Sequence, residues 1–235
     1  MAISDKLQEV YDNVSLVYAA GLSNGRAESW LYYATSLDNI FGGTIFPVGS
    51  AITLRVKQAP VKSTFIFNNC QGVKRIKLIS DEEQTSAIDM TNAFFVASST
   101  SVPKTLEIVD LSEYCRILKN TGSATNINMF GYQTKLRTIV GDLDLTLITN
   151  TNNMFAQCGS LVDVGFVPNT IRCSIKFNQC PSLSKASLVS IINGLADDVT
   201  GFGVQFNQAA INANFTAQEW ADLIAPKTNW TFTYV

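Results

Sequence analysis

The chain of 235 residues contains no histidine. Histidine is the commonest general base and the commonest metal ligand in proteins. A hydrolase built on this sequence would therefore need a lysine or a carboxylate as its base. No catalytic set of that kind is recognisable, so we expect no enzymatic activity and no cofactor.

Charge and long apolar runs are also scarce. Charged residues make up 15% of the chain, the net charge is −2, and no basic block is present. The electrostatic footprint of a nucleic-acid-binding protein is therefore missing. No apolar run approaches the roughly 18 residues of a membrane span, and the first ten residues lack the apolar segment of a signal peptide. We expect a chain that is made and folded in a cytoplasm and does not insert into a membrane.

A phrase of fixed spacing recurs four times. It reads Phe, two residues, Cys, two residues, an aliphatic residue, two more residues, and usually a second aliphatic. The copies begin at Phe67, Phe130, Phe155 and Phe177. Gln133 replaces Cys in the second copy, and Ala186 weakens the last position of the fourth. Self-similarity at a period of about 20 to 50 residues predicts a stacked-repeat fold.

A fifth, degenerate copy begins at Phe94 and implies an insertion around residues 98–103. Short strand-like runs follow the phrases, at residues 73–78, 106–111, 136–145 and 161–167. Asn92, Asn128 and Asn153 each stand two residues before a repeat phenylalanine. Asparagine at that point favours turns that hydrogen-bond their own backbone.

Five cysteines are an odd number, so they cannot all pair within the chain. Cys70, Cys158 and Cys180 occupy the same place in the repeat. A stack of repeats puts them in one column of small buried side chains, as is usual for free cysteine. No Cys-x-x-Cys pair is present to suggest a metal site. We predict core cysteines, with a disulfide or a metal as the alternatives.

The N-terminal residues 3–20 read as an amphipathic helix. Its apolar positions are spaced four and three apart, as in the seam of a coiled coil. These positions are Ile3, Leu7, Val10, Val14 and Val17. The seam serves either to oligomerise or anchor the chain, or to cover the open end of the first repeat. With little more than two heptads, a helix of this kind has only marginal stability in water by itself.

Three regions follow from these patterns. Residues 1–50 hold the helix and an aromatic linker, in which Trp30, Phe41 and Phe46 either form a docking surface or bury against a repeat. Residues 51–188 hold the repeats and begin with a strand over 51–57. Residues 189–235 form a cap.

The C-terminal cap carries its own local signals. A helical pattern that starts with Ser184 extends to Leu195, and residues 203–207 read as a short strand. Thr216 and Glu219 have the spacing of a capping box for a helix that ends near Ala225. Residues 230–235 alternate as a final strand. Such terminal elements seal the core of a repeat protein.

The repeat phrase resembles the BspA-type leucine-rich repeat. Two segments are also similar to this repeat: Leu106-Glu107-Ile108-Val109-Asp110-Leu111-Ser112 and the segment from Ile148 to Phe155. The resemblance covers residues 64–188. It implies an α/β repeat fold, a right-handed solenoid with short parallel strands on one side and turns or short helical segments on the other, between an N-terminal helix and a C-terminal helix and strand cap. Both chain ends also resemble repeat proteins encoded in phage and prophage structural regions.

Clustered acids offer weak alternatives to a purely structural role. Asp142 and Asp144 stand two apart on an expected strand and could pair around Ca²⁺, although two ligands are too few for a site. Residues 81–83 and 197–198 read as solvated acidic loops. We therefore expect no metal.

The functional expectation is a phage virion component, in a tail, fibre or head-surface position. It would attach by its N-terminal segment and display the repeats for binding. Its expected partners are other virion proteins or copies of itself, including a trimer, and a host cell-surface protein or glycan. Residues 22–50 and the insertion after Phe94 are the expected display patches. The alternative is a bacterial cell-surface adhesin, which requires an export signal.

Overall fold

The computed structural model describes residues 36–83, 85–98, 102–114, 116–119 and 128–235. All strands that pair within these residues run parallel to each other. Three sheets result. The first contains β1 (Ile45–Gln58), β2 (Gln71–Glu82), β4 (Ile108–Glu113) and β6 (Thr138–Val140), in that order. The second contains β3 (Ile88–Asp89), β5 (Ile117–Lys119) and β7 (Asp144–Leu147). The third contains β8 (Ile175–Phe177), β9 (Phe202–Phe206) and β10 (Trp230–Tyr234).

Three helices lie in the C-terminal part: α1 (Lys185–Gly194), α2 (Gln208–Asn214) and α3 (Ala217–Ile224). The α/β class with parallel strands is thus confirmed, as is a C-terminal region of helices and strands, although β1 and β2, with 14 and 12 residues, are not the short strands expected. The expected N-terminal helix over residues 3–20 lies outside the described residues.

The chain builds the first two sheets together by adding one layer at a time. From β2 onward, each layer supplies a strand to the first sheet and then a strand to the second, before the chain returns to the first. Single bridges from Thr138 to Asp163 and from Leu143 to Phe166 carry both sheets one layer further. Parallel neighbours need such long connections, because a tight turn joins only antiparallel strands.

A ladder of stacked phenylalanines runs through the core. Successive ring centroids lie 4.9–6.2 Å apart, with interplanar angles of 24° or less. The ladder consists of Phe41, Phe67, Phe94, Phe130, Phe155, Phe177 and Phe206, all buried. Each pair adds about 0.5–1.5 kcal/mol to the free energy of unfolding beyond area burial. The five repeat phenylalanines of the sequence pattern are therefore neighbours in space, and two more extend the stack.

Three residues after four of the five repeat phenylalanines, a side chain donates a hydrogen bond to the preceding layer; Ala97, three residues after Phe94, has no side-chain donor. The Sγ atoms of Cys70, Cys158 and Cys180 donate to the carbonyl of the phenylalanine one layer earlier, at 2.8, 3.2 and 3.5 Å. Gln133 replaces the thiol with its Nε2, which donates to the carbonyl of Phe94 at 2.6 Å. The predicted column of buried cysteines is confirmed, and its shared chemistry is a side-chain donor.

The residue two places before each of the first five ladder phenylalanines is left-handed. Asn39, Asn92, Asn128 and Asn153 have φ between 37° and 59°, and Phe65 has φ of 55°. Asparagine tolerates this conformation better than other residues with a Cβ. The predicted turns are confirmed, but the expected side-chain hydrogen bonds are not: the Oδ1 atoms of Asn92 and Asn128 are buried without a hydrogen-bond partner among the described residues.

Two of the expected strands were wrong in extent. The run over 136–145 is split into β6 and β7 by Gly141, whose φ is 98° and whose missing Cβ would lie 3.0 Å from the Ser112 nitrogen. Only glycine fits this corner, where the chain leaves one sheet for the other. The run over 161–167 forms only the two single bridges given above.

The aromatic segment before residue 51 belongs in part to the stack. Phe41 stacks on Phe67 at 5.0 Å, and Phe46 contacts Phe41 at 6.1 Å. Both rings are buried, so burial against a repeat is confirmed for them. Trp30, Tyr32 and Tyr33 lie outside the described residues. The strand predicted over 51–57 is the longer β1.

The C-terminal helices follow the local signals. Ser184 caps α1, and Thr216 with Glu219 forms the complete capping box of α3. Trp220 on α3 packs edge-on against Phe206, the last ring of the ladder, at 5.2 Å. Among the described residues, no helix is long and apolar enough to cross a membrane.

Candidate binding surfaces

The outer side of the first sheet is covered by ion pairs that join neighbouring strands. We call this side the charged face. Four of its pairs, with their N–O distances, are Arg55–Asp81 (2.5 Å), Lys57–Glu82 (3.4 Å), Lys74–Glu107 (3.4 Å) and Arg75–Asp110 (2.9 Å). Lys77 and Glu113 form the fifth pair. Exposed pairs of this kind contribute about 0–1 kcal/mol each. Their main effect is to fix a pattern of alternating charge on a rigid surface.

Asp110 is the exception on the charged face because its side chain is only 6% exposed. Its carboxylate accepts from Arg75 Nη2 at 2.9 Å, and from the Ser112 hydroxyl and amide at 2.7 and 3.2 Å. Burial opposes ionisation, but the hydrogen bonds from Ser112 and Arg75 and the charge of Lys77 outweigh it, so the pKa of Asp110 is lowered. The carboxylate is an ionised anchor that ties β2 to β4.

A second surface follows the turns that carry the phenylalanine ladder. We call it the amide ridge and define it by six side chains at one or two positions after a ladder phenylalanine: Asn68, Asn69, Phe95, Tyr132, Gln157 and Gln179. All six are half-buried or exposed. Unlike the charged face, the ridge carries no charged residue.

The acidic groups singled out from the sequence do not assemble. Asp144 accepts from the Thr146 amide at 2.9 Å, and among the described residues no group of three or more potential ligands is placed to hold a metal ion. Asp81 belongs to the end of β2 and the charged face, so its assignment to a solvated loop was wrong. Its partner Arg55 lies 26 residues away in sequence, which explains why sequence reasoning missed the pair.

Asp197 and Asp198 are likewise held by cations. Lys227 Nζ lies 2.7 Å from Asp197 and 2.6 Å from the carbonyl of Leu195. Arg172 Nη2 lies 2.5 Å from Asp198 and lowers its pKa through this hydrogen bond. Lys227 thus holds the loop after α1 against the segment before β10, and Arg172 holds it against the segment before β8.

The described cysteines are core residues. Cys70, Cys158, Cys173 and Cys180 are free and buried. Burial raises the pKa of Cys70 and Cys180 to about 12 and that of Cys173 to about 11, and holds that of Cys158 well above its ordinary value. Thiols in this state are poor nucleophiles and poor metal ligands. Cys115 lies outside the described residues.

The predicted oligomerisation or anchoring residues Ile3, Leu7, Val10, Val14 and Val17 lie outside the described residues, as do residues 99–101 of the insertion after Phe94. Their roles stay predictions. Neither the amide ridge nor the charged face was predicted from the sequence. The sequence does show, however, that no charged residue directly follows a ladder phenylalanine.

Comparisons of the chain with protein-family models, with curated proteins and with solved structures find no match.

Proposed function

We propose that this chain is a non-enzymatic binding scaffold, a right-handed solenoid of the leucine-rich-repeat class that forms part of a phage virion. In this role the N-terminal segment attaches the chain to the particle, and the stacked layers carry the binding surfaces. The tail, fibre or head surface of the particle is the expected position.

One observation carries the proposal. Six consecutive phenylalanine contacts join the layers from Phe41 to Phe206 without interruption. Because each layer is hydrogen-bonded to the next, surface side chains on distant layers keep fixed relative positions. Rigid, extended surfaces of this kind are what stacked-repeat proteins use to bind other macromolecules.

The charged face supports a macromolecular partner. Its ion pairs link β1, β2 and β4, and Asp110 anchors the pattern beneath the surface. A partner with a complementary pattern of alternating charges would bind in one alignment, because a shifted alignment brings like charges opposite each other and costs free energy. The virion setting itself rests on the expected resemblance of both chain ends to repeat proteins encoded in phage and prophage structural regions.

The experiment is to locate the chain in particles. Phage particles are induced from the source bacterium and purified on a density gradient, and peptides of this chain are quantified against the major capsid protein by mass spectrometry. We expect a fixed ratio to the capsid protein. As a control, a version that lacks residues 1–21 should be absent from particles. Recovery of the full chain only in the cell-envelope fraction would contradict the virion role and favour the adhesin.

A further inference from the structure

The amide ridge differs in chemistry from the rest of the surface. None of the residues at one or two positions after the seven ladder phenylalanines is charged, whereas the charged face concentrates five ion pairs. In place of charge the ridge presents primary amides and two aromatic rings. Asn69 uses its side-chain amide within the protein, where it donates to Asn68 Oδ1 at 2.7 Å and accepts from the Ala97 backbone amide at 2.6 Å. Asn68, Gln157 and Gln179 supply the neutral donors and acceptors of the ridge through their other side-chain amide groups.

The ridge is continuous across the layers. The backbone N–H of Asn69 donates to the backbone carbonyl of Phe95 at 2.8 Å, and the backbone N–H of Tyr132 donates to the carbonyl of Ala156 at 2.6 Å. The backbone N–H of Gln157 donates to the side-chain Oε1 of Gln179 at 2.8 Å. Each step therefore joins one layer to the next, and the side chains form a single row along the stacking direction.

Two rings lie near the middle of the row. Phe95 and Tyr132 meet edge to face with centroids 5.8 Å apart. Tyr132 has a φ of 65°, and Gly43, Asn69 and Gln157, at the equivalent place in other layers, have φ of 55–74°. The left-handed backbone at Tyr132 therefore belongs to the turn that these layers share. The half-buried rings present apolar surface between flanking amides.

Spacing favours a linear ligand. Stacked layers are about 4.8 Å apart in the hydrogen-bonding direction, and successive ladder rings lie 4.9–6.2 Å apart. This repeat is close to the length of one pyranose unit. A chain of neutral sugars lying along the ridge would bring a new set of hydroxyls to each successive layer.

We propose that the amide ridge binds a neutral linear polysaccharide. The apolar C–H face of a sugar ring packs on Phe95 and Tyr132, because that face is the least hydrated part of the sugar. Hydroxyls of the neighbouring sugars exchange hydrogen bonds with Asn68, Gln157 and Gln179, and Asn69 holds the Asn68 side chain in place. Since no charge lies within the ridge, an acidic polysaccharide gains nothing there over a neutral one. The inference rests on the proposed role as a binding scaffold, but not on the virion setting.

Affinity electrophoresis of the full chain in native gels tests the proposal. The gels contain dextran, mannan or xylan as neutral probes, or alginate as an acidic probe. We expect at least one neutral polysaccharide to retard the protein. Tyr132→Asn should weaken this retardation about tenfold in apparent Kd, because a packed aromatic ring is worth about one factor of ten. Asparagine suits the left-handed backbone at this position, as it does at Asn69, so the variant keeps the fold.

The matched control is the double variant Lys77→Gln, Glu113→Gln on the charged face. It removes one ion pair, leaves the net charge unchanged and should be retarded like the parent chain. Three results would overturn the inference: no retardation by any neutral probe, retardation by alginate alone, or full retardation of Tyr132→Asn. Particle localisation is measured separately, so a failed ridge and a failed virion role give different results.

Discussion

At the scale of single residues, equivalent positions in the layers share a physical task more closely than an amino-acid identity. At four layers the residue three places after the phenylalanine donates to the carbonyl of the preceding layer, and both a thiol and an amide supply this donor. At the first five ladder phenylalanines the residue two places earlier is left-handed, a backbone that four asparagines adopt readily. Phe65 is the residue least suited to its place.

We predict that Phe65→Asn stabilises the protein. Phe65 is 41% exposed and left-handed, so its ring loses little packing and the asparagine relieves backbone strain. The expected gain is about 0.5–1 kcal/mol in the free energy of unfolding, measured by urea denaturation. Phe65→Ala is the control, because alanine removes the same ring without asparagine's tolerance of the left-handed region. An asparagine variant no more stable than the alanine variant would contradict the argument.

The buried thiols predict a dependence of stability on alkaline pH. Burial raises the pKa of Cys70, Cys158, Cys173 and Cys180 above the ordinary value of 9.0. The unfolded chain therefore releases these protons at lower pH than the folded chain. Stability is fully present below about pH 9 and falls as pH rises toward about 11 to 12, because proton release favours unfolding.

The measurement is the urea midpoint at pH 7 and at pH 10, together with thiol titration in a Cys115→Ala background. We expect a lower midpoint at pH 10 and no reaction of the four native thiols with a thiol reagent at pH 8 until urea unfolds the chain. Rapid labelling of any of the four in the folded protein would show that the column is accessible.

At the scale of elements, α1 does more than cover the core. Ser187 Oγ accepts from the Val164 amide at 2.9 Å and donates to the Val162 carbonyl at 3.1 Å. Ser190 Oγ accepts from the Phe166 amide at 2.9 Å. Serines three apart on one helical face thus replace the hydrogen bonds that another strand would make. The helix satisfies backbone groups of residues 162–166, which form the last layer of the first two sheets. It thereby blocks the addition of another strand to those two sheets.

We predict that Ser187→Ala destabilises the protein by about 1–3 kcal/mol, because it leaves the amide of the buried residue Val164 without this partner. The Val162 carbonyl still accepts from the Ser184 amide at 2.9 Å. Ser187 is 3% exposed, so water cannot readily replace the hydroxyl. Urea denaturation measures the change, with an unchanged slope as evidence of the same unfolding transition. Ser182→Ala, at an exposed hydroxyl that donates to Gly159, should change stability by less than about 0.5 kcal/mol. Equal effects of the two variants would count against the special role of Ser187.

At the scale of the whole molecule, the two ends of the stack differ. Trp220 and Phe232 pack against Phe206 at the C-terminal end, at 5.2 and 6.5 Å. At the other end, β1 is the edge strand of the first sheet among the described residues. Exposed apolar side chains cluster in the first layers, at Ile45, Val48, Val61 and Phe65. An interaction through the N-terminal end is therefore the one to test.

We predict that the full chain is a trimer or larger assembly and that a version starting after Gly21 is a monomer. The seam from Ile3 to Val17 supplies the apolar surface for association. Light scattering measures the solution mass of both versions, and circular dichroism confirms that the shorter one stays folded. A monomeric full chain would contradict the oligomerising seam and leave residues 3–17 as a cap of the stack or a docking segment.

The sequence by itself determined the repeating layers and the local signals. Phe155 with Cys158, Asn153 two places earlier, and the capping box of Thr216 and Glu219 are patterns within a few residues, and backbone geometry converts them directly into stacking, turns and helix starts. The short helix α2 and the two-residue strand β3 gave no such signal, because neither is long enough to show a hydrophobic period.

The tertiary structure alone decided which surfaces exist. Arg75 and Asp110 are 35 residues apart in sequence, yet they form an ion pair because parallel register brings their strands together. Gln133 and Tyr132 carry no evident role until the preceding and following layers surround them. Insertions of different length separate the layers, so the sequence does not fix which side chains become neighbours. Hydrogen bonding between layers makes that choice, and with it the charged face and the amide ridge.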